Sequence, residues 1–135
     1  MEFKVVTPHG VTYEDNVEKV SIPTMAGDIE ILENHAALVS VLAPGELVIH
    51  KDDHTVNLAV SGGIIEMRPT GELYILADTA ERAEDIDVER ADAARKRAQE
   101  LLKQQKNVAD VDFARIQAMI EKETVRLSVG NKYRG

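Results

Sequence analysis

A chain of 135 residues, 44% hydrophobic and 30% charged with a formal charge of −8, is long enough for one main core and too apolar to stay disordered. It contains no cysteine, which excludes disulfides and thiolate metal sites and agrees with a reducing compartment. The start MEFKVVTPHG lacks a charged segment leading into an apolar one, and no apolar run approaches the ~20 residues of a membrane helix, so a cytoplasmic protein without direct membrane insertion is expected.

From the start to Asp78, short β-type runs alternate with turn residues: FKVV, EKVSI, DIEIL, ALVSVL, ELVIHK, TVNLAV, GIIEMR and ELYILA. The separators TPHG, AGD, ENH, APG, KDDH, SGG and PTG all carry Gly, Pro, Asn or Asp, at roughly the 8–12-residue spacing of an all-β sandwich. A β-sandwich over residues 1–84 is the reading. Gly62 and Gly63 mark a bend or bulge rather than a phosphate turn. Met25, Met67 and Met119 read as packing residues. The histidines, His9, His35, His50 and His54, show no metal-ligand spacing, and no metal is assigned.

Beyond Asp78, glycine is absent until Gly130, proline does not recur, and Ala, Glu, Lys, Arg and Gln dominate. Val88, Ala91, Ala94, Ala98 and Leu101 recur at helical steps. Phe113, Ile116, Ile120 and Leu127 do so later, with KQQKNVAD between. This predicts a two-helix antiparallel hairpin over residues 85–135, and an α+β fold class for the whole. The first helix offers mostly alanine, which forfeits ~0.8 kcal/mol for each CH₂ that leucine would bury. A thin interface makes the hairpin an element that can open.

The charge divides in the same place. Residues 1–80 carry 4 Lys+Arg against 13 Asp+Glu, residues 90–135 carry 11 against 6, and residues 81–89 hold five acids and one arginine. At this seam Asp87 is a good N-cap for a helix starting at Val88, with Ile86 positioned as a hydrophobic staple toward Ala91. Arg90 would then sit at N3, where the helix's partial positive charge disfavours a cation. Glu89 or Asp87 could answer it locally; so could a bound anion such as phosphate, since a helix N-terminus with an arginine presents convergent donors. Arg115, Lys122 and Arg126 share one face of the second helix, as a solvated stripe or as further anion donors. No glycine-rich phosphate loop, metal cluster or nucleophile–base motif is present, which argues against an enzyme.

Along essentially its whole length the chain resembles the epsilon subunit of bacterial F-type ATP synthase. The resemblance rests on VVTPHGVTYEDNVEKVSIPT, GDIEILENHAALVSVL, VSGGIIEMRPTGELYILAD, AERAEDID and the closing RLSV. It implies a sandwich seated on the gamma subunit and the ring of c subunits, at the cytoplasmic face of the bacterial membrane, followed by a mobile hairpin. Folded, the hairpin permits rotation; extended into the alpha/beta catalytic hexamer, it blocks ATP hydrolysis. The protein itself would be non-catalytic and would have no nucleic-acid partner.

The resemblance further implies a regulatory ATP site, with no cofactor otherwise required and the part of magnesium open. Ile86, Asp87, Val88, Glu89, Arg90 and Ala91 match the family's I/L-D-x-x-R-A pattern at every fixed position. Glu81, Ile86 and Asp87 would face adenine and ribose, Arg90 the phosphates, and Ala91 would allow close approach. Lys122 and Arg126 would complete the phosphate side. Lys122 stands where ATP-binding relatives tend to have arginine, exchanging a fork for a point charge. In the extended state Arg115, Lys122 and Arg126 would meet the catalytic subunits. Glu33 and Asn34 replace a common Pro-Gly pair before His35. The rival reading is a permanently folded structural adaptor that neither binds ATP nor inhibits.

Overall fold

The computed structural model describes residues 1–104 and 110–133. They form two compact units, Met1–Arg82 and Ala83–Gly135.

The first unit is a β-sandwich of ten strands: β1 (Glu2–Thr7), β2 (Gly10–Asn16), β3 (Lys19–Thr24), β4 (Gly27–Leu32), β5 (Leu38–Leu42), β6 (Gly45–His50), β7 (Thr55–Val60), β8 (Gly63–Met67), β9 (Leu73–Ala77) and β10 (Ala80–Arg82). Hydrogen bonding runs β10-β7-β6-β3-β5-β8-β9-β1-β2, with β4 paired to β3 off this path. Only the β1–β9 pair is parallel. Alternate residues point inward, as a period of two requires. Phe3 and Val5, Val20 and Ile22, Leu47 and Ile49, Leu58 and Val60, Ile65 and Met67, and Leu73 and Ile75 therefore meet in one core.

Two strands went unread in the sequence. β2, GVTYEDN, is an edge strand that buries only Tyr13, so its composition is that of a loop. β10 is three residues long and also at an edge, too short for any periodic signal. The bend reading of Gly62 and Gly63 holds. Their φ angles are 119° and 148°, and a Cβ on Gly63 would run into the Leu76 carbonyl. Asn34 takes φ 69°, a left-handed conformation that asparagine tolerates better than most residues. Met67 is core, 2% exposed, but Met25 and Met119 are 79% and 47% exposed and are not packing residues.

The second unit opens with a single 3₁₀ turn (Ala83–Asp85), followed by α1 (Val88–Gln104) and α2 (Asp110–Lys132). Lys103, Gln104 and Asp110, expected in the connection, are helical; the rest of KQQKNVAD lies outside the described residues. Asp87 is the N-cap. Its Oδ1 accepts from the Arg90 N–H at 3.0 Å, while its carbonyl accepts from the Ala91 N–H at 3.0 Å.

The inner face of α1 steps through Ala91, Arg95, Ala98 and Leu102, not through Leu101, which is 39% exposed. On α2, Ile116 is buried while Phe113, a turn nearer the helix start, is 46% exposed. Gly130 sets the approach of the two helices. A Cβ there would lie 2.8 Å from Cγ2 of Val88 and 3.0 Å from Cγ2 of Ile86. Ile86, expected to staple onto Ala91, is thus covered in part by α2.

Candidate functional site

Glu81 belongs to the first unit: it lies in β10, opposite Ala59, half-buried. The other residues named for a nucleotide site belong to the second. Ile86, 9% exposed, and Ala91, fully buried, give the helix entry an apolar underside, while Asp87 is exposed with one carboxylate oxygen committed to the cap. A cavity of about 260 Å³ adjoins them, lined by Glu84, Glu89, Gly130 and Tyr133 besides Ile86 and Asp87. Its charge is acidic, and Arg90, Lys122 and Arg126 are not in its lining.

The cations differ from one another. Arg90 is exposed at N3 and, among the described residues, makes no ion pair, so neither Glu89 nor Asp87 supplies its counter-charge. Lys122, half-buried, has none either. Arg126 is engaged: its Nη1 donates to Glu123 Oε2 at 2.8 Å, the two side chains being 18% and 11% exposed. Arg115 is open to solvent, 3.9 Å from Asp112. The expected stripe is therefore one bare lysine, one clamped arginine and one solvated arginine.

Two features escaped sequence reasoning. Glu123 is a buried carboxylate on the inner stripe of α2, and the signal was available: it lies two helical turns beyond Ile116. The second is an outward apolar row on the sandwich. Cross-strand pairing aligns Val41 with Ile64, Ile64 with Leu76, Leu76 with Val6, and Val6 with Val11. Val41, Ile64, Leu76 and Val11 are 60%, 47%, 43% and 55% exposed. An apolar row across five strands is a mark of an interaction surface. Beside it the charges are internally satisfied: Arg68 donates to Glu66 at 2.8 Å and stacks 3.9 Å over Tyr74, whose hydroxyl donates to Glu72 at 3.0 Å. Such a border repels little and leaves the apolar row as the adhesive part.

Residues 1–83 match the beta-sandwich domain of the ATP synthase delta/epsilon chain, and residues 84–130 match the long alpha-helix domain of the same chain. The chain belongs to the ATP synthase delta/epsilon family. It is 40% identical over 132 residues to the ATP synthase epsilon chain of Halalkalibacterium halodurans, with 98% of both chains covered. With that of Bacillus licheniformis it shares 41% over 129 residues, 96% of each. A chain of the Euglena gracilis mitochondrial ATP synthase OSCP/F1/c-ring assembly superposes with TM-score 0.73 at 25% identity, covering 97% of this chain and 80% of that one. One from the Tetrahymena thermophila central stalk and c-ring does so with TM-score 0.70 at 14% identity, covering 96% of each, a likeness of fold. As an epsilon chain of this family the protein is a non-catalytic subunit of the synthase. Among the described residues no helix is long and apolar enough to cross a membrane.

Proposed function

We propose that this chain is a central-stalk rotor subunit whose sandwich joins gamma to the c-ring at the cytoplasmic face of the bacterial membrane. Its hairpin restrains ATP hydrolysis, and ATP stabilises the folded hairpin. The observation that carries the nucleotide part is Arg90, a cation that makes no ion pair among the described residues, at a helix N-terminus that electrostatically disfavours it. A phosphate there would satisfy the guanidinium and the exposed N–H groups of the first turn together. Asp87 and Ile86 would hold the adenine and ribose end, Ala91 allowing close approach, and Lys122 and Arg126 would close on the phosphates. Binding adds RT ln(1+[ATP]/Kd) to the folded form and so lowers the inhibitory population. When ATP falls, the hairpin opens, and Arg115, Lys122 and Arg126 become available to acidic surface on the alpha/beta hexamer.

A second reading, a permanently folded adaptor, draws support from the Glu123–Arg126 bond and the acidic cavity beside Asp87. Titrating ATP, with and without magnesium, into the full chain carrying a distance probe between tail and sandwich separates the two. The switch predicts saturable binding and closure that follows it. The adaptor predicts a constant distance and no heat of binding.

A further inference from the structure

Glu123 interrupts an otherwise apolar stripe on α2, which runs Ile116, Ile120, Glu123, Leu127, Gly130. It is 8% exposed, and Oε2 accepts from Arg126 Nη1 at 2.8 Å. If Arg126 leaves to bind phosphate, a buried carboxylate loses its donor, a loss large enough to cancel most of what the phosphate contact gains. Binding through Arg126 therefore needs a substitute donor for Glu123.

The register of the hairpin supplies one. Gly130 faces Val88 closely enough that a Cβ would collide, so the helices run antiparallel from that point. Seven positions on from Val88 stands Arg95, and seven back from Gly130 stands Glu123, both about 10 Å along their helices and on the same faces as their starting points. Arg95 Nη2 donates to Asp92 at 3.2 Å, but its Nε is buried and has no hydrogen-bond partner among the described residues. An unmet guanidinium donor thus stands level with a carboxylate whose present partner is wanted elsewhere.

We propose that Glu123 is a shared acceptor, holding Arg126 while the site is empty and passing to Arg95 Nε when Arg126 turns to phosphate. Arg95 is then a positioning residue that touches no nucleotide. The inference rests on the nucleotide reading above, and it makes Arg126 a ligand that is released rather than waiting.

Calorimetric titration of ATP into the full-length chain tests it. Relative to the parent, Arg95→Ala should bind ATP about tenfold more weakly, and Glu123→Gln about tenfold more tightly, the scale of one charge-assisted hydrogen bond. The double variant should match Glu123→Gln, because without the carboxylate Arg95 has nothing to receive. Unchanged affinity in Arg95→Ala, or a double variant whose affinity is the product of the two single effects and so returns to about the parental value, overturns the exchange while leaving the ATP site standing. A parent chain that binds no ATP removes site and exchange together. Should Arg95→Ala lose helix by circular dichroism, the Arg95 Nε–H resonance of the unaltered chain decides: slowed exchange on saturation with ATP supports the transfer, and an unmoved resonance overturns it.

Discussion

Gly130 and Val88 hold α2 and α1 so close that an added Cβ would stand 2.8 Å from the valine's Cγ2. The contact is a side chain rather than backbone, so a small residue can be accommodated by a slight shift. Alanine gains ~1 kcal/mol of helix propensity over glycine, and mild overpacking costs about the same. Gly130→Ala should therefore leave hairpin stability within ~1 kcal/mol of the parent. Gly130→Leu adds bulk without further propensity and should lose ~2 kcal/mol or more. Urea unfolding followed by far-UV circular dichroism measures both, and equal stability of the two variants would show that the helices do not approach here.

The Asp87 cap makes a second stability prediction with a different pattern. Asp87→Ala removes the acceptor for the Arg90 N–H and should cost ~1 kcal/mol, whereas Asp87→Ser should recover most of it. Recovery tells the cap apart from a loss of negative charge, which serine would not restore. Thermal unfolding monitored by helicity reads the order parent, serine, alanine.

Much of this was legible in the chain, and the exceptions have physical causes. Alternating runs such as EKVSI announced β3, because Val20 and Ile22 face the core while Lys19 and Ser21 do not. β2 was illegible because an edge strand buries one residue, Tyr13, and spends its others on solvent. The cap at Asp87 could be read since it depends on residue type and spacing alone. The Glu123–Arg126 pair had its i,i+3 spacing in the chain, but the orphaned Nε of Arg95 could not be read, because a buried donor acquires meaning only from what the other helix sets opposite. Leu101 was misassigned for a related reason: with alanine marking most of the inner face, the stripe's drift toward Leu102 has no strong apolar signal to follow.

Arg90 should separate folding from binding. A cation at N3 opposes the helix dipole, so Arg90→Ala is expected to leave the hairpin as stable as before or slightly more so, by a few tenths of a kcal/mol. The same change should weaken ATP binding by tenfold or more. Lys122→Arg should act oppositely on binding, tightening it several-fold through a bidentate contact. Calorimetry beside thermal unfolding checks both; an Arg90→Ala chain with parental affinity would take Arg90 out of the site.

On the sandwich, Lys51 Nζ donates to Asp15 at 2.7 Å and to the Asn16 carbonyl at 3.0 Å. The Lys51 hydrogen bond, with the Asn16 N–H second, holds the Asp15 carboxyl below its ordinary value, and the bond to Asp15 raises the Lys51 ammonium. Asp15 therefore contributes stability above about pH 4 and loses it as pH falls through its lowered folded value. Lys51 contributes below about pH 10.4 and loses it as pH rises through its raised value. Tyr13, raised by burial and then by Asp15, is lost on the same alkaline side. The stability difference between the parent and Asp15→Asn should be a plateau through neutral pH that falls away at both ends. Denaturant midpoints across pH provide the curve, and a difference independent of pH would show that the pair is not coupled to folding.

Ile64 and Ile65 are neighbours in β8 on opposite faces, one 47% exposed in the outward apolar row and the other fully buried in the core. Ile65→Glu places an unpaired charge in the core and should prevent folding of the sandwich. Ile64→Glu leaves the core untouched, so the isolated chain should unfold within ~0.5 kcal/mol of the parent, as surface changes do. If the row Val41–Ile64–Leu76–Val6–Val11 is the face by which the sandwich joins the rotor, that well-folded variant should nonetheless be lost from synthase complexes during purification. A charge set in the middle of an apolar contact must be desolvated on docking without a partner, which at a well-packed interface costs several kcal/mol. Retention of Ile64→Glu at parental stoichiometry would move the docking surface elsewhere on the sandwich, and the edge strand β2 with its ion-paired border would then be the next face to probe.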